Sequence, residues 1–248
     1  MLTNVEKTVN ELTEWTRDYF EINGRGCKAV LGISGGKDSC ITAALLVRAL
    51  GKERVVGVLM PDGVQPDISD SEAVVEFLGI EHRVVNIGET VAALKKALEE
   101  AGSEVTKDTK INIPPRVRMT TLYAVAQGLK EGGRVINTCN RSEDYIGYST
   151  KFGDAAGDVS LLAGFTVEEV LQIGDYLGLP ADLVHKTPSD GLSGMSDEDK
   201  IGFTYAVLDR YIATGICEDE EIRKKIDRMH VLNLHKLELM PHFEVRRD

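Results

Sequence analysis

Residues 30–51 read VLGISGGKDSCITAALLVRALG. An apolar, β-branched run reaching Ile33 passes through Ser34-Gly35-Gly36-Lys37-Asp38-Ser39 into a stretch patterned as a helix. A strand, a glycine turn and a helix starting near Asp38 bring several free backbone N–H groups to one point, where the helix dipole adds partial positive charge. Gly35 and Gly36 let the backbone approach an anion, while Ser34, Lys37 and Ser39 add donors. The stretch reads as a phosphate-binding turn, the blander alternative being a plain strand-to-helix connection. It is not a Walker A loop, which needs G-x-x-x-x-G-K-[ST]. Only three residues separate Gly32 from Gly36, and Asp38 stands where the hydroxyl belongs. A carboxylate beside a phosphate is repelled unless a cation sits between them. Mg2+ bridging Asp38 to phosphate oxygens removes the conflict.

The neighbouring sequence supplies the fold. Mostly apolar, β-branched runs occur at Lys28–Ile33, Arg54–Met60, His82–Ile87 and Arg134–Thr138, as expected of parallel strands covered on both faces. Helical patterns lie between them at Asp38–Leu50, Ser69–Leu78, Glu89–Ala101 and Arg116–Leu129. A further helix at 3–20 carries the stripe Val5, Val9, Leu12, Trp15 and Tyr19, with Thr3 and Glu6 as its capping box. After Thr138 the strand signal fades and helices are expected at 166–177, 197–213 and 218–236, separated by polar, Gly-rich stretches at 149–165 and 186–196. Strand alternating with helix predicts an α/β fold, a doubly wound, Rossmann-like parallel sheet with ligands at the carboxyl ends of the strands. No repeat or linker divides the 248 residues, so one domain spanning 1–248 is expected.

Composition narrows the function classes. The net charge of -11 disfavours nucleic acid, whose binding depends on Lys and Arg neutralising phosphates. Cys27, Cys40, Cys139 and Cys217 form no CxxC pair and read as reduced cytosolic thiols. The first 20 residues are charged throughout, unlike a signal peptide, and no apolar run approaches the roughly 20 residues that span a bilayer. A cytoplasmic protein without a membrane or nucleic-acid partner is expected.

SGGxDS at a strand–helix junction resembles the pyrophosphate loop of the ATP pyrophosphatase superfamily, enzymes that split ATP between its α and β phosphates. Further stretches narrow the resemblance: Met60-Pro61-x-Gly63-Val64-Gln65, Asn112-Ile113-Pro114-Pro115-Arg116-Val117-Arg118-Met119, Thr138-Cys139-Asn140-Arg141-Ser142-Glu143, Lys151-Phe152-Gly153-Asp154, Pro188-Ser189-Asp190-Gly191-Leu192, Ser196-Asp197-Glu198 and His235-Lys236. In this order and spacing, over essentially the whole chain, they resemble the ammonia-dependent NAD synthetases. The resemblance implies ATP-dependent amidation of deamido-NAD by ammonia through an NAD-adenylate, releasing AMP and pyrophosphate. It also implies a homodimer with the dinucleotide at the subunit contact, and no added glutaminase domain.

Position by position, the resemblance implies that Gly32, Ile33, Ser34, Gly35, Gly36, Lys37, Asp38 and Ser39 hold ATP, with Thr138 and Ser189 as further contacts. Asp38 and Glu143 correspond to Mg2+ ligands and, with Lys37, to the catalytic set. Arg116, Lys151, Asp158, His235 and Lys236 correspond to deamido-NAD contacts. Taken singly, Arg116 and Arg118 read equally as solvated helix residues, Glu143 as a partner of the helix dipole, and His235 as structural. Four departures stand out: Cys139 where the family commonly has Gly, Ala155-Ala156 where it has Gly-Gly, Val167 in place of a lysine that contacts ATP, and no Arg or Pro directly after His235-Lys236. Two rival readings remain: another adenylating enzyme of the superfamily, acting on a different carboxylate or a tRNA, and a nucleotide-binding sensor without catalysis. The Gly/Ser-containing 186–196 segment has the composition of a closing lid.

Overall fold

The computed structural model describes residues 1–65, 68–185, 196–238 and 240–246. Among the described residues five parallel strands, β1 (Lys28–Gly32), β2 (Val55–Leu59), β3 (Glu81–Val84), β4 (Gly133–Asn137) and β5 (Val159–Ser160), form a sheet ordered β3-β2-β1-β4-β5. Between β1 and β3 the chain winds towards one edge, and it then returns to place β4 on the other side of β1. The reversal point lies between β1 and β4, where open parallel sheets bind ligands.

The alternation of side chains divides the core. Ala29, Leu31, Val55 and Leu59 face one cluster, while Val30, Val56, Val58 and Val135 face the other. The first cluster is covered by α1 (Val5–Asn23), α2 (Lys37–Leu50), α3 (Ile68–Leu78), α7 (Val167–Tyr176) and α8 (Ala181–Val184). The second lies under α4 (Gly88–Glu100) and α5 (Lys107–Gln127). The central strands, β1 and β2, are therefore buried on both faces, as their apolar runs predict. β3 is not: Glu81, His82, Arg83 and Val84 are all exposed, which suits an edge strand carrying charge.

A third cluster lies beyond the sheet, where α6 (Arg141–Ile146), α9 (Asp197–Ile201), α10 (Tyr205–Thr214) and α11 (Glu220–Asn233) gather Ile146, Val167, Ile201, Phe203, Tyr205, Leu208 and Ile226. The expected helix at 197–213 is two helices, because Gly202 adopts φ +77° and ends the first. The helix expected from Arg116 begins nine residues earlier, capped by the Thr106 side chain, and runs through Pro114 and Pro115. At the N-terminus, Asn4 caps α1 by accepting from the Lys7 N–H, in place of the expected Thr3–Glu6 box.

Candidate active site

The 33–39 turn sits at the carboxyl end of β1. Ser34 Oγ and Ser39 Oγ lie 3.2 Å apart, the Gly36 N–H donates to Ser34 Oγ, and Ser39 Oγ donates to the Gly36 carbonyl. These bonds tie the turn together at the start of α2. Gly35 is required here. Its φ is +77°, and a Cβ would lie 2.7 Å from Asp70 Cβ, so α3 packs directly against the turn.

Lys37 and Asp38 form an ion pair at 2.8 Å, with the Lys37 side chain only 6% exposed. Burial pulls the Lys37 ammonium down, but Asp38, Glu143 and Asp197 outweigh it and hold its pKa above the ordinary value. Across the reversal point, Asn140 joins both proposed carboxylates. Its Nδ2 donates to Asp38 Oδ1 at 3.0 Å, its Oδ1 accepts from the Ser142 and Glu143 N–H groups, and its own N–H donates to Glu143 Oε2. This is a complete capping box at the start of α6, and Asn140 is fully buried. Burial, with the Asp38 carboxylate nearby, pushes Glu143 up to about 8 against the opposing effects of Lys37 and the Asn140 N–H. An oxygen-only pair poised in this way suits a hard divalent cation that takes the rest of its shell from phosphate and water. Among the described residues no three His, Cys, Asp or Glu side chains converge as a metal site.

The residues that resemble dinucleotide contacts fall into two places. Arg116 Nε donates to the Lys151 carbonyl at 3.3 Å, and Lys151 Nζ donates to the His235 carbonyl. Lys236 Nζ, pulled down by burial, donates to the carbonyls of Gly147 and Ser149 at 2.6 and 2.8 Å. Arg116, Lys151, His235 and Lys236 are thus linked around the turn after α6. Asp158 lies apart, just before β5, where its carboxylate accepts from the Val135 N–H at 2.7 Å and the Tyr123 hydroxyl at 3.3 Å. Thr138 is half-buried just after β4. Ser189 and the 186–195 part of the expected lid lie outside the described residues.

Two departures acquire a physical reason. Val167 is buried in the third cluster beside Ile146 and Leu208, so the position here is a packing site. The Cys139 thiol is buried and donates to the Asp154 carbonyl at 3.4 Å. Burial pushes its pKa well above the ordinary value, which leaves it inert. Asn140 carries a signal legible in sequence, since an Asn three residues before a Glu at a helix start is a capping signature. Tyr205, with its ring centroid 6.0 Å from Lys37 Nζ, carries no such signal.

The NAD synthase family matches residues 8–246. The chain belongs to the NAD synthase family. Within it, the NH(3)-dependent NAD(+) synthetase of Archaeoglobus fulgidus is 37% identical over 250 residues, covering 98% of each chain. The enzyme of the same name from Carboxydothermus hydrogenoformans is 39% identical over 240 residues, 95% of this chain and 96% of the relative. Among solved structures, the NMN synthetase of Francisella tularensis superposes with a TM-score of 0.86 at 32% identity, covering 98% of this chain and all of that one.

Proposed function

We propose that the protein amidates deamido-NAD with ammonia at the expense of ATP, forming NAD, AMP and pyrophosphate. The observation that carries this reading is the convergence of Asp38 and Glu143 on Asn140 beside the 33–39 turn, in a chain that matches the family over 8–246. A nicotinate carboxylate is a poor acyl donor. Its oxygen attacks the α phosphorus of ATP, the bond to the β-phosphate oxygen breaks, and pyrophosphate leaves with the electron pair. The nitrogen lone pair of ammonia then attacks the acyl carbon of the adenylate. AMP departs with the acyl–oxygen electrons, and the nitrogen sheds its extra proton.

In this reading the amides of the 33–39 turn and Lys37 hold the departing phosphates, while Asn140 keeps Asp38 and Glu143 oriented for Mg2+. Such an ion would neutralise charge on the phosphates; the protein's own share is positioning and electrostatic stabilisation. Arg116, Lys151, His235 and Lys236 supply donors on the acid-substrate side. Asp158 accepts one bond on each carboxylate oxygen, from Tyr123 and Val135, which leaves lone pairs for a substrate donor.

Ammonia, and a single catalytic unit over the whole chain, are supported by relatives named for that donor whose length the chain matches. A homodimer is supported by α5, which leaves Ile111 56% exposed and fully buries only Ile113 and Ala126 among its 21 residues. A cytoplasmic setting is supported by four free cysteines. No described helix is long and apolar enough to cross a membrane.

The Francisella neighbour is named an NMN synthetase, and a second acceptor to test is therefore the acid form of that mononucleotide, which carries the same carboxylate on a smaller nucleotide. Incubation with ATP, Mg2+, ammonium and either acid, with NAD, NMN, AMP and pyrophosphate quantified, tests both. Amide formation with neither acid would refute the reading, and the ratio of kcat/KM values assigns the acceptor.

A further inference from the structure

Tyr205 opens α10 next to the candidate active site, and its hydroxyl is anomalous. The side chain is 5% exposed, and the hydroxyl oxygen is buried without a hydrogen-bond partner among the described residues. Buried hydroxyls normally find partners, because an unmet donor forfeits its bond to water without recompense. The backbone around it is well satisfied: the Tyr205 N–H donates to Glu198 Oε1 at 2.7 Å, and Thr204 caps the helix. The neighbouring tyrosine is also satisfied, since the Tyr148 hydroxyl donates to Asp197 Oδ1 at 3.1 Å.

Two other buried hydroxyls share the defect, Thr42 in the middle of α2 and Ser149 in the turn after α6. What distinguishes Tyr205 is its surroundings. Its ring stands over Lys37 of the phosphate turn. The charges that reach its hydroxyl are those of Glu143, Asp197 and Asp38, together with the Tyr148 hydroxyl, and burial with this negative field keeps the phenol firmly protonated. A buried hydroxyl that stays protonated and lacks a bond, on a ring beside Lys37, is a donor in reserve.

We propose that the Tyr205 hydroxyl is a nucleotide-binding donor, kept unpaired in the free protein for the metal–triphosphate group that settles against Lys37, Asp38 and Glu143. The assignment rests on the ATP reading above and adds a residue to it. Its acceptor is a triphosphate oxygen or a water in the shell of the divalent cation. The unmet donor makes the free protein less stable, and nucleotide binding relieves the defect.

Tyr205→Phe in the full-length chain separates this role from a structural one. Melting temperatures are measured without ligand and with ATP and Mg2+, and KM for ATP is measured alongside KM for the acid substrate. Phe fills the same volume without the orphan oxygen, so the free variant should melt about 2 °C or more above the wild type. Its stabilisation by ATP–Mg2+ should shrink, and KM for ATP should rise about tenfold, the loss of one hydrogen bond to a charged group. KM for the acid substrate should stay unchanged. Tyr148→Phe deletes a hydroxyl that already has its partner, and should melt below the wild type. A full ATP–Mg2+ shift and an unaltered KM for ATP in Tyr205→Phe would overturn the role of Tyr205 alone. No ATP–Mg2+ shift in the wild type would overturn the nucleotide reading, and the proposal with it.

Discussion

Asn140 offers the most direct test of how the site is assembled. It is fully buried, its Oδ1 caps α6, and its Nδ2 holds Asp38 at 3.0 Å from 102 residues away in sequence. Asn140→Ala removes the cap, worth about 1 kcal/mol. It also deprives the half-buried Asp38 of a charge-assisted bond, worth about 1.5–3 kcal/mol. Together these predict a loss of about 2.5–4 kcal/mol. At about 2–4 °C per kcal/mol for a chain of this size, the melting temperature falls by roughly 5–16 °C. Asn140→Asp distinguishes the two contributions. An aspartate caps as well as an asparagine, but it sets a carboxylate against Asp38. The cap then survives while the link between β1 and β4 becomes repulsive. Both variants should lose about a hundredfold in kcat/KM, the cost of misplacing reacting groups by about 1 Å. In both, the Mg2+ concentration giving half-maximal AMP release should rise. Calorimetry and an AMP-release assay across Mg2+ concentrations measure these effects. Wild-type kcat/KM and Mg2+ dependence in Asn140→Ala would refute the idea that this amide orients the two carboxylates.

Three further outcomes follow from the same geometry. Glu143 holds its proton up to about 8 in the folded protein. The unfolded chain therefore binds fewer protons than the native one between roughly pH 4.5 and 8, and stability of the metal-free protein should decline as pH rises through that window. Glu143→Gln should flatten the decline and abolish turnover, and an unchanged pH profile of melting would contradict the burial argument. Gly35→Ala forces φ +77° on a residue with a Cβ and drives that Cβ to 2.7 Å from Asp70. It should cost about 1–3 kcal/mol and most of the affinity for ATP, read by denaturation and nucleotide titration. Lys236→Met frees the carbonyls of Gly147 and Ser149. KM for the acid substrate should rise about tenfold with KM for ATP unchanged, and equal effects on both would remove Lys236 from the acid-substrate side.

What could be read in advance was local. The parallel strands announced themselves as apolar runs, and the phosphate turn lies within seven consecutive residues, 33–39. The two-residue β5 escaped because it lacks the burial that writes a pattern, whereas the run at His82–Ile87 marked β3 but set it late, the strand spanning Glu81–Val84 with all four residues exposed. α5 was entered too late because prolines usually mark a helix start, yet here the helix tolerates Pro114 and Pro115 in its interior after capping at Thr106. The bond from Asn140 to Asp38 joins residues 102 apart, and no spacing reveals it. Tyr205 looked like one more apolar position, since its unmet hydroxyl is a property of the folded surroundings alone.

The placement of β4 beside β1 also has a temporal side. A ribosome makes the phosphate turn long before it makes Asn140, and at about 5–20 residues per second the delay is roughly 5–20 s. Throughout that interval Asp38 lacks the amide that will orient it, so the 33–39 turn of a nascent chain is only half supported. Competence to bind nucleotide should arrive in one step, late in synthesis, when the strand from the far side slots into the sheet.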